Sequence, residues 1–478
     1  MYLRILLVFF VNAICFSQVR LPAFFSDNMV LQQNDSVAIW GVDKPNTPIS
    51  IEVGWGEKSL TKSDENGHWK FKIKTPKASY NSYDLIIKGS STTKINNVLI
   101  GEVWFASGQS NMEMPIKGFS NSPVSGYNEF ILNSKNQNIR LFRVRRSASV
   151  TPEKDVVGEW EQANPNTIDN FSAIGYLFAK KLQKTLKIPI GIISSCWGGT
   201  GIKAWSPKEA LKGFSFIKFP KKLPSRDNEK RGTPTLLYNA MIHPFLGYNI
   251  KGFLWYQGES DRFHADKYKL LFPNMVKFWR KKWSLKTEIP FYYVQIAPYD
   301  YSARDRTKKP NGALLREAQL LSLSKINNSE MVVTADVGDC NDIHPSRKEQ
   351  IANRLAYIAL NKDYNFKTIK YKSPIYKSME IKGDSIELFF DSITSSKGNG
   401  FNSYGKQLKG FYIAGEDKVF YPAKVIITKE RTLKVFSEKV KSPKAVRYGF
   451  ENCFEVTLFN AYGLPASPFR TDQWEVSY

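Results

Sequence analysis

The residues best suited to chemistry in this chain are a serine in a glycine-containing turn and one of only four histidines. Ser110 lies in the run SGQSNM at 107–112, directly after a stretch typical of a buried strand. A serine in such a turn is exposed, and the helix that follows can offer backbone N–H groups to an oxyanion. Because a serine before a helix is also a common helix cap, the motif needs partners elsewhere before it indicates a nucleophile.

The partners of a serine nucleophile are present in the run DVGDCNDIHP at 336–345. A serine needs a base to take its proton, and the base needs a group that holds its tautomer. His344 is the candidate base. Asp342, two residues earlier, is the candidate orienting carboxylate, because residues two apart in an extended loop point the same way. Asp339 is the alternative carboxylate.

The other three histidines fit the role of base less well. His243 precedes a predicted strand, so we expect it near the opposite edge of the sheet in a structural role. His68 is expected in a hairpin of the N-terminal part, where a surface or packing role is predicted. His264 follows a predicted strand on the correct edge and is the reserve candidate.

Two further loops contain groups that could bind an oxyanion. The run SCWGGT at 195–200 has paired glycines, which let backbone N–H groups approach a ligand closely. The run WYQGES at 255–260 offers the carboxamide of Gln257 as a donor. Each run has an ordinary interpretation as a loop, but together with Ser110 and His344 they supply a nucleophile, a base and oxyanion donors.

These loops follow apolar strands that alternate with amphipathic helices between residues 100 and 365. The predicted strands are 102–106, 139–144, 188–194, 252–256, 290–296 and 330–334, and the predicted helices are 173–186, 267–282, 312–323 and 346–360. Such alternation is typical of a parallel sheet covered by helices on both faces, in which sites form at the carboxyl ends of the strands. We therefore expect the candidate residues at one edge of an α/β fold.

The regions on either side of this core are predicted to be β domains, as a chain of 478 residues has room for two or three domains. Over 18–99 apolar residues alternate with polar ones, and Asn66-Gly67 predicts a hairpin turn. Over 366–478 short strands return, for example at 455–458. The predicted domains are therefore 18–99, 100–365 and 366–478.

The first 17 residues have the pattern of a secretory signal peptide cleaved after Ser17, with a basic start and a short apolar run. A run of about a dozen apolar residues is too short to span a bilayer, which takes roughly 20. We expect an exported bacterial protein, periplasmic or extracellular, without stable membrane insertion. Three cysteines would remain, and since three cannot all pair, disulfides are not expected to be the main support of the fold.

The composition argues against metal proteins and nucleic-acid-binding proteins. Four histidines and four cysteines without a CxxC pair nearly exclude multi-histidine and cysteine-rich zinc sites, so no metal or cofactor is expected. The 68 Lys and Arg against 44 Asp and Glu give a net charge of +24, which raises nucleic-acid binding as a possibility. The lysines are scattered and no nucleic-acid motif is present, so we interpret the charge as a solvated surface.

The motifs together resemble the sialate O-acetylesterase family of the SGNH hydrolases, nearly from end to end. Besides those quoted, the matching segments are GEVW at 101–104, YNAMIHP at 238–244, REAQ at 316–319 and GLPASPFR at 463–470. The resemblance implies an SGNH-type three-layer α/β/α core with a parallel sheet, flanked by N- and C-terminal β domains, that removes acetyl groups from sugars without a metal. It also implies Ser110 as nucleophile, His344 as base, and an oxyanion hole formed by the N–H groups of Ser110 and Gly199 with the Gln257 side chain.

Two positions depart from the family pattern. Asn341 stands three residues before His344, where the superfamily usually has Asp, and Lys203 stands where Glu is expected. We expect the acetylated sugar to be bound by four side chains: Trp197, Trp205, Glu259 and Lys203. The sugar is open between O-acetylated sialic acid and acetylated xylan or another plant glycan.

A different class of function is a noncatalytic glycan-binding protein on the same scaffold. Its sugar-stacking rings would be Trp197, Trp205 and Tyr256. The intact set of Ser110, His344 and Gln257 argues against it, because all three catalytic roles are filled.

Overall fold

The computed structural model describes residues 18–285, 288–307, 309–393 and 400–476. The predicted signal peptide, 1–17, lies outside the described residues. In the N-terminal region the strands are β1 (Val30–Gln32), β2 (Ser36–Val42), β3 (Pro48–Val53), β4 (Lys58–Lys62), β5 (His68–Lys74), β6 (Ser82–Lys88) and β7 (Thr92–Gly108).

The central region alternates strands and helices, as expected. Its further strands are β8 (Asn136–Arg143), β9 (Trp160–Ala163), β10 (Ile190–Cys196), β11 (Gly252–Tyr256), β12 (Phe291–Val294) and β13 (Ser329–Val332). Its helices are α1 (Ser110–Glu113), α2 (Tyr127–Leu132), α3 (Pro165–Asp169), α4 (Ala173–Leu186), α5 (Lys208–Leu211), α6 (Asp227–Gly232), α7 (Ala265–Trp283), α8 (Ser302–Asp305), α9 (Asn311–Ser322) and α10 (Lys348–Asp363).

The central sheet has the strand order β13-β12-β11-β7-β10-β8-β9. All neighbours from β13 to β8 are parallel, and only the edge strand β9 is antiparallel to its neighbour. After β7 the chain forms β8 and β10 on one side of that strand, and later forms β11 on its other side. The carboxyl ends of β7, β10 and β11 therefore meet at the point where the strand order reverses, which is where open α/β sheets form their sites.

Helices cover both faces of this sheet. Trp104 and Phe105 are adjacent in β7 and therefore point to opposite faces. Trp104 packs on Phe178 of α4 with ring centroids 5.1 Å apart, and Phe105 packs on Trp283 of α7 at 5.3 Å. Helix α10 packs beside α4 on the first face. The predicted three-layer α/β/α core is confirmed.

The N-terminal region and the core share strand β7. The first part of β7 pairs antiparallel with β6, and the second part pairs parallel with β10 and β11. The strand is buried throughout from Val98 to Gly108. The predicted boundary between residues 99 and 100 falls inside this strand.

One turn of the N-terminal region differs from its prediction. Asn66-Gly67 does form a turn, but the strands on either side do not pair as a hairpin. Strand β4 pairs with β3, whereas β5 pairs with β2. The Asn-Gly pair therefore predicts the turn but not the partner of either strand.

The C-terminal region is built from short antiparallel strands around its own apolar cluster, which includes Ile386, Leu433 and Phe469. The strands are β14 (Ile375–Lys382), β15 (Ser385–Asp391), β16 (Phe401–Asn402), β17 (Phe411–Ala414), β18 (Phe420–Pro422), β19 (Lys424–Ile427), β20 (Leu433–Phe436), β21 (Ala445–Tyr448), β22 (Phe459–Asn460) and β23 (Phe469–Arg470).

The strand predicted at 455–458 is wrong. These residues are irregular, and the strand is β22, which pairs with β16. Residues 457 and 458 are buried without forming a strand ladder. The Thr457 hydroxyl accepts the Lys409 N–H at 2.9 Å, and the Leu458 carbonyl accepts the Ala466 N–H at 2.9 Å.

A disulfide between Cys340 and Cys453 joins the C-terminal region to the loop before α10. Cys196 at the end of β10 is free and buried. Among the helices of the described ranges, none is long and apolar enough to cross a bilayer.

Candidate active site

The turn after β7 places Ser110 at the first position of α1. Gly108 makes this turn possible, because its φ is +140° and a Cβ at that position would lie 2.1 Å from the Tyr256 carbonyl oxygen of β11. A side chain there would force β7 and β11 apart. The Nε2 atom of His344 is 3.0 Å from Ser110 Oγ, so the two residues that the sequence singled out are within hydrogen-bond distance.

Three side chains surround the His344 ring. The ring of Phe119 packs against it edge-on, with centroids 5.0 Å apart. On the far side from Ser110, the Nδ1 atom is 3.5 Å from Ser122 Oγ and 3.7 Å from Asp342 Oδ1. The same oxygen of Asp342 accepts the backbone N–H of His344 at 2.8 Å. Asp342 is therefore at ion-pair distance from the ring and hydrogen-bonded to the loop.

The alternative carboxylate, Asp339, is exposed. Its Oδ1 accepts the backbone N–H of Asn341 at 2.8 Å, which stabilises the loop locally. Of the two carboxylates proposed from the sequence, Asp342 is the one found at ion-pair distance from the imidazole.

The electrostatic surroundings keep His344 neutral. Burial lowers the pKa of His344 to about 4, the positive charges of Lys348 and Arg304 act in the same direction, and Asp342 opposes them. A neutral imidazole has a free lone pair at Nε2. Near neutral pH it can therefore accept the proton of the Ser110 hydroxyl.

The WGGT loop after β10 packs directly on Ser110. A Cβ on Gly198 would lie 3.1 Å from Ser110 Cβ, and the Gly198 N–H donates to Glu113 Oε2 at 2.8 Å. Gly199 follows with φ at +73°. Within the described residues, the N–H groups of Ser110 and Gly199 donate to no protein acceptor. These two N–H groups are thus available for an oxyanion.

The prediction that Gln257 is an oxyanion donor needs correction. Its side chain is fully buried, and its Nε2 donates to the Thr200 carbonyl at 2.9 Å and to Asp261 Oδ2 at 2.6 Å. Both amide hydrogens are then used within the protein. Gln257 therefore connects the loop after β11 to the loop after β10, and its amide has no hydrogen free for an oxyanion.

The predicted sugar-binding rings are part of the core. Trp205 is 0% exposed, and its Nε1 donates to the Thr200 hydroxyl at 2.9 Å. Trp197 is 5% exposed and Tyr256 is also buried. Contrary to the prediction, these rings have no free face for a sugar. The stacking platform of a noncatalytic glycan-binding protein is absent at these three positions.

The two charged residues predicted to bind substrate differ from each other. Glu259 is 3% exposed and accepts a hydrogen bond from Asn111, so it is buried beneath the site and does not face a substrate. Lys203 is half-buried. Burial raises the pKa of Asp261 to about 6, and the charge of Lys203 opposes that rise. For Lys203 the sugar-binding role stays a prediction.

Sequence reasoning missed a polar group behind the site, formed by Asn111, Glu259 and Lys348. The Asn111 amide donates to Glu259 Oε1 at 2.6 Å, and its oxygen accepts from Lys348 Nζ at 2.5 Å. The only signal in the sequence is proximity, since Asn111 follows Ser110 and Lys348 stands four residues after His344. Their burial, which makes the group unusual, is a property of the fold.

The remaining histidines lie away from Ser110. Nδ1 of His243 is 2.8 Å from the Glu153 carbonyl, and Nε2 of His68 is 2.9 Å from Lys154 Nζ. Both line a separate groove of about 620 Å³ at the N-terminal region. His264, the reserve candidate, is exposed at the start of α7. Over the described ranges, no group of three His, Cys, Asp or Glu side chains is placed to hold a metal ion.

Comparison with known proteins gives consistent matches. Residues 100–361 match the carbohydrate esterase family described as sialic acid-specific acetylesterase. The crystal structure of a carbohydrate acetylesterase from Xanthomonas citri is 34% identical, with a TM-score of 0.85, and the match covers 96% of this chain and 100% of that one.

Curated relatives from mammals are similar over a smaller share. The sialate O-acetylesterase of Homo sapiens is 27% identical over 408 residues, covering 76% of this chain and 74% of the human protein. That of Mus musculus is 27% identical over 419 residues, covering 76% of each.

Proposed function

We propose that this protein removes O-acetyl groups from sugars by a serine mechanism. The chain belongs to the sialic acid-specific acetylesterase family of carbohydrate esterases and is therefore a carboxylic ester hydrolase. The observation that supports the serine mechanism most directly is the 3.0 Å contact between Ser110 Oγ and His344 Nε2. The neutral state of His344 supports it further, since only a neutral imidazole can act as the base.

The proposed acylation begins when His344 Nε2 takes the hydroxyl proton of Ser110. The Oγ atom attacks the acetyl carbonyl carbon, and the carbonyl oxygen becomes an oxyanion facing the N–H groups of Ser110 and Gly199. The tetrahedral intermediate then breaks its bond to the sugar oxygen, which leaves with the proton from His344. The sugar departs as an alcohol and Ser110 is acetylated.

Deacylation repeats these steps with water. His344 takes a proton from a water molecule, whose oxygen attacks the acetyl-serine carbonyl, and the same two N–H groups face the second oxyanion. Acetate leaves when the bond to Ser110 Oγ breaks, and the proton on His344 returns to Oγ. Asp342, at 3.7 Å from Nδ1, stabilises the imidazolium that forms in both halves of the cycle.

For the sugar, we propose O-acetylated sialic acid, with acetylated xylan or another plant glycan as the alternative. The names of the mammalian relatives support the first. The lysine at 203, where the family pattern has glutamate, is the reason to keep the second. Acetate release from a panel of O-acetylated sialic acid, acetylated xylan and acetylated plant oligosaccharides decides between them.

We also propose that the protein is exported. The signal-peptide pattern of the first 17 residues supports this. The disulfide between Cys340 and Cys453 is further support, because disulfides persist in oxidising compartments. Fractionation of the cells, with mass spectrometry of the mature N-terminus, tests both the destination and the cleavage after Ser17.

The serine mechanism is tested with Ser110→Ala, His344→Ala and the matched control His243→Ala on 4-nitrophenyl acetate. We expect the first two to lose about 1,000-fold or more in kcat, because they remove the nucleophile and the base. The control should stay within about threefold, because His243 lies away from Ser110, beside the Glu153 carbonyl and the Tyr238 ring. Normal acetate release by Ser110→Ala, or a larger loss in His243→Ala than in His344→Ala, would refute the assignment.

A further inference from the structure

We propose that Asn111, Glu259 and Lys348 form a buried positioning network that holds the turn bearing Ser110 against the loop bearing His344. This inference rests on the proposed serine mechanism, since it concerns the alignment of that pair. None of the three residues touches the reacting atoms. Their role is to fix the geometry in which a proton passes from Ser110 Oγ to His344 Nε2.

The side chain of Asn111 makes the direct connection between the two loops. Its Nδ2 donates to Glu259 Oε1 at 2.6 Å and to the carbonyl oxygen of Ile343 at 3.0 Å. Asn111 follows the nucleophile and Ile343 precedes the base, so a single amide group spans the two. At 1% exposure, the amide cannot exchange these partners for water.

The two charged residues fix the orientation of that amide. Lys348 Nζ donates to Asn111 Oδ1 at 2.5 Å, while Glu259 accepts from the nitrogen on the other side. Burial lowers the pKa of Lys348 to about 7. Below that pH the amide dipole points its positive end at the Glu259 carboxyl group and its negative end at an ammonium group. A flipped amide would place its oxygen against Glu259 and its N–H groups against Lys348, which both charges oppose.

Stability alone does not account for this arrangement. Lys348 is 0% exposed, and Glu259 Oε2 has no hydrogen-bond partner in the described part of the chain. Burying two charges costs free energy that their attraction need not recover, and apolar replacements of buried ion pairs are often neutral or stabilising. A polar group that is expensive to bury, directly behind Ser110 and His344, is better explained by the geometry it imposes.

Lys348 also acts on His344 through its charge. The charged groups facing the ring are Lys348 from α10, Arg304 from α8 and Asp342 from its own loop. Lys348 and Arg304 lower the pKa of His344 and Asp342 raises it. When kcat/KM is plotted against pH, its fall on the acidic side, here called the acid limb, reports the pKa of this base in the free enzyme. Removing the charge of Lys348 must therefore move that limb to higher pH.

The test uses the full chain with Asn111→Asp, Lys348→Met and Lys348→Arg, and with Lys362→Met as a control from the far end of α10. We expect Asn111→Asp to lower kcat by about 100-fold, since a carboxylate facing Glu259 breaks the link between the loops. Lys348→Met should lower kcat by about 10-fold with KM unchanged, and raise the acid limb by about one pH unit.

The remaining variants separate an effect of charge from an effect of packing. Lys348→Arg should return the acid limb to its wild-type position, because it restores the positive charge. Lys362→Met removes a lysine that pairs with Glu330, away from the site, and should change neither kcat nor the acid limb. If Lys348→Met does not fold, the double variant Glu259→Gln/Lys348→Met removes both charges together and should fold while keeping the lowered kcat.

The outcomes distinguish this inference from the proposed function. If Ser110→Ala is inactive but Asn111→Asp and Lys348→Met keep wild-type kcat and the wild-type acid limb, the network is refuted and the serine mechanism stands. If Ser110→Ala is active, the mechanism itself is refuted. A loss of kcat equal in Lys348→Met and Lys348→Arg, with no movement of the acid limb in either, would also refute the electrostatic part.

Discussion

The two loops that meet at the candidate active site are held in place in different ways. The turn with Ser110 is fixed by the centre of the sheet, where the Gln109 N–H donates to the Tyr256 carbonyl at 3.0 Å and the Trp197 N–H donates to the Gly108 carbonyl at 3.1 Å. Each of these partners belongs to β7 or to the end of a strand beside it. The position of Ser110 therefore follows from the sheet.

The loop with His344 has no such support from its own strand. It runs over 333–347, after the edge strand β13, and is fixed by contacts that are distant in sequence or outside the sheet. Cys340 is bonded to Cys453, the Asp300 N–H donates to the Cys340 carbonyl at 3.0 Å, and Arg354 pairs with Asp336 at 2.6 Å. The His344 loop is therefore held in part by the C-terminal region, through the disulfide, whereas the hydrogen bonds of the Ser110 turn come from the sheet.

The largest effect that tests this difference is expected from loss of the disulfide. The double variant Cys340→Ser/Cys453→Ser opens a loop between residues 113 apart, and for a loop near this length the chain-entropy model gives about 5 kcal/mol of stability. Urea unfolding measures the loss. Acetate release should fall in addition, because the His344 loop loses its tether.

Reducing agent provides the control for that variant. Dithiothreitol should reproduce the loss of stability in the wild-type protein and have no further effect on the double variant. Unchanged stability and unchanged activity in the double variant would show that the His344 loop is held without the C-terminal region, and the contrast between the two loops would be wrong.

The next largest effect is expected at the Ser110 turn, from Gly108→Ala. The new Cβ would overlap the Tyr256 carbonyl at 2.1 Å, at a φ of +140° that alanine rarely adopts. Overpacking and an unsuitable φ together should cost about 3 kcal/mol of unfolding free energy, measured by urea unfolding.

Gly56→Ala is the matched control for Gly108→Ala. Gly56 also has a positive φ, +95°, but nothing lies within 4 Å of its added Cβ. Gly56→Ala should therefore lower the unfolding free energy only through its unfavourable backbone conformation, by about 1 kcal/mol. Equal losses in the two variants would mean that strand β11 does not restrict the turn sterically.

The contrast between the loops also explains which parts of the molecule the sequence predicts. Helix α4 begins and ends where the amphipathic pattern places it, at Ala173 and Leu186, and β11 coincides with its apolar run. The sequence also predicts that Ser110 and His344 meet, because each follows a strand at the same sheet edge, and they lie 3.0 Å apart. These features depend on local periodicity and on the direction of parallel strands.

Features that depend on contacts between distant residues could not be predicted from the sequence. Gln257 looks like a free donor in its own segment, and only the fold places Thr200 and Asp261 against its amide. Trp205 and Glu259 have the residue types of a sugar site, but packing against α7 and Asn111 buries them. The pairing of Cys340 with Cys453 likewise depends on the docking of the C-terminal region, which no local pattern encodes.

A smaller effect, confined to the His344 loop, is expected from Asp342→Asn. The asparagine oxygen can still accept the backbone N–H of His344, but the negative charge at 3.7 Å from Nδ1 is lost. We expect kcat to fall about 30-fold, less than the roughly 10,000-fold seen where the carboxylate is hydrogen-bonded to the imidazole and fixes its tautomer. The acid limb should move to lower pH, because Asp342 raises the pKa of His344.

Asp339→Asn is the control for that substitution. Asp339 is exposed and its contact is with the Asn341 backbone, so its loss should leave kcat and the acid limb unchanged. A loss larger in Asp339→Asn than in Asp342→Asn would reverse the assignment of the carboxylate. A loss of about 10,000-fold in Asp342→Asn would mean that the carboxylate closes onto Nδ1 during turnover.

The smallest effect is expected from Ser122→Ala, which removes the other group beside Nδ1. When Nε2 accepts the proton of Ser110, Nδ1 carries a hydrogen, and the Ser122 hydroxyl at 3.5 Å is at the limit of accepting it. A bond this long should contribute about threefold to kcat, or about 0.7 kcal/mol. The double variant Asp342→Asn/Ser122→Ala shows whether the two groups act independently, because two independent contributions to kcat multiply.

A loss in Ser122→Ala that exceeds the loss in Asp342→Asn would make the hydroxyl, and not the carboxylate, the group that orients the base. The His344 loop would then be supported from the Ser110 side of the site, since Ser122 belongs to the segment that follows α1.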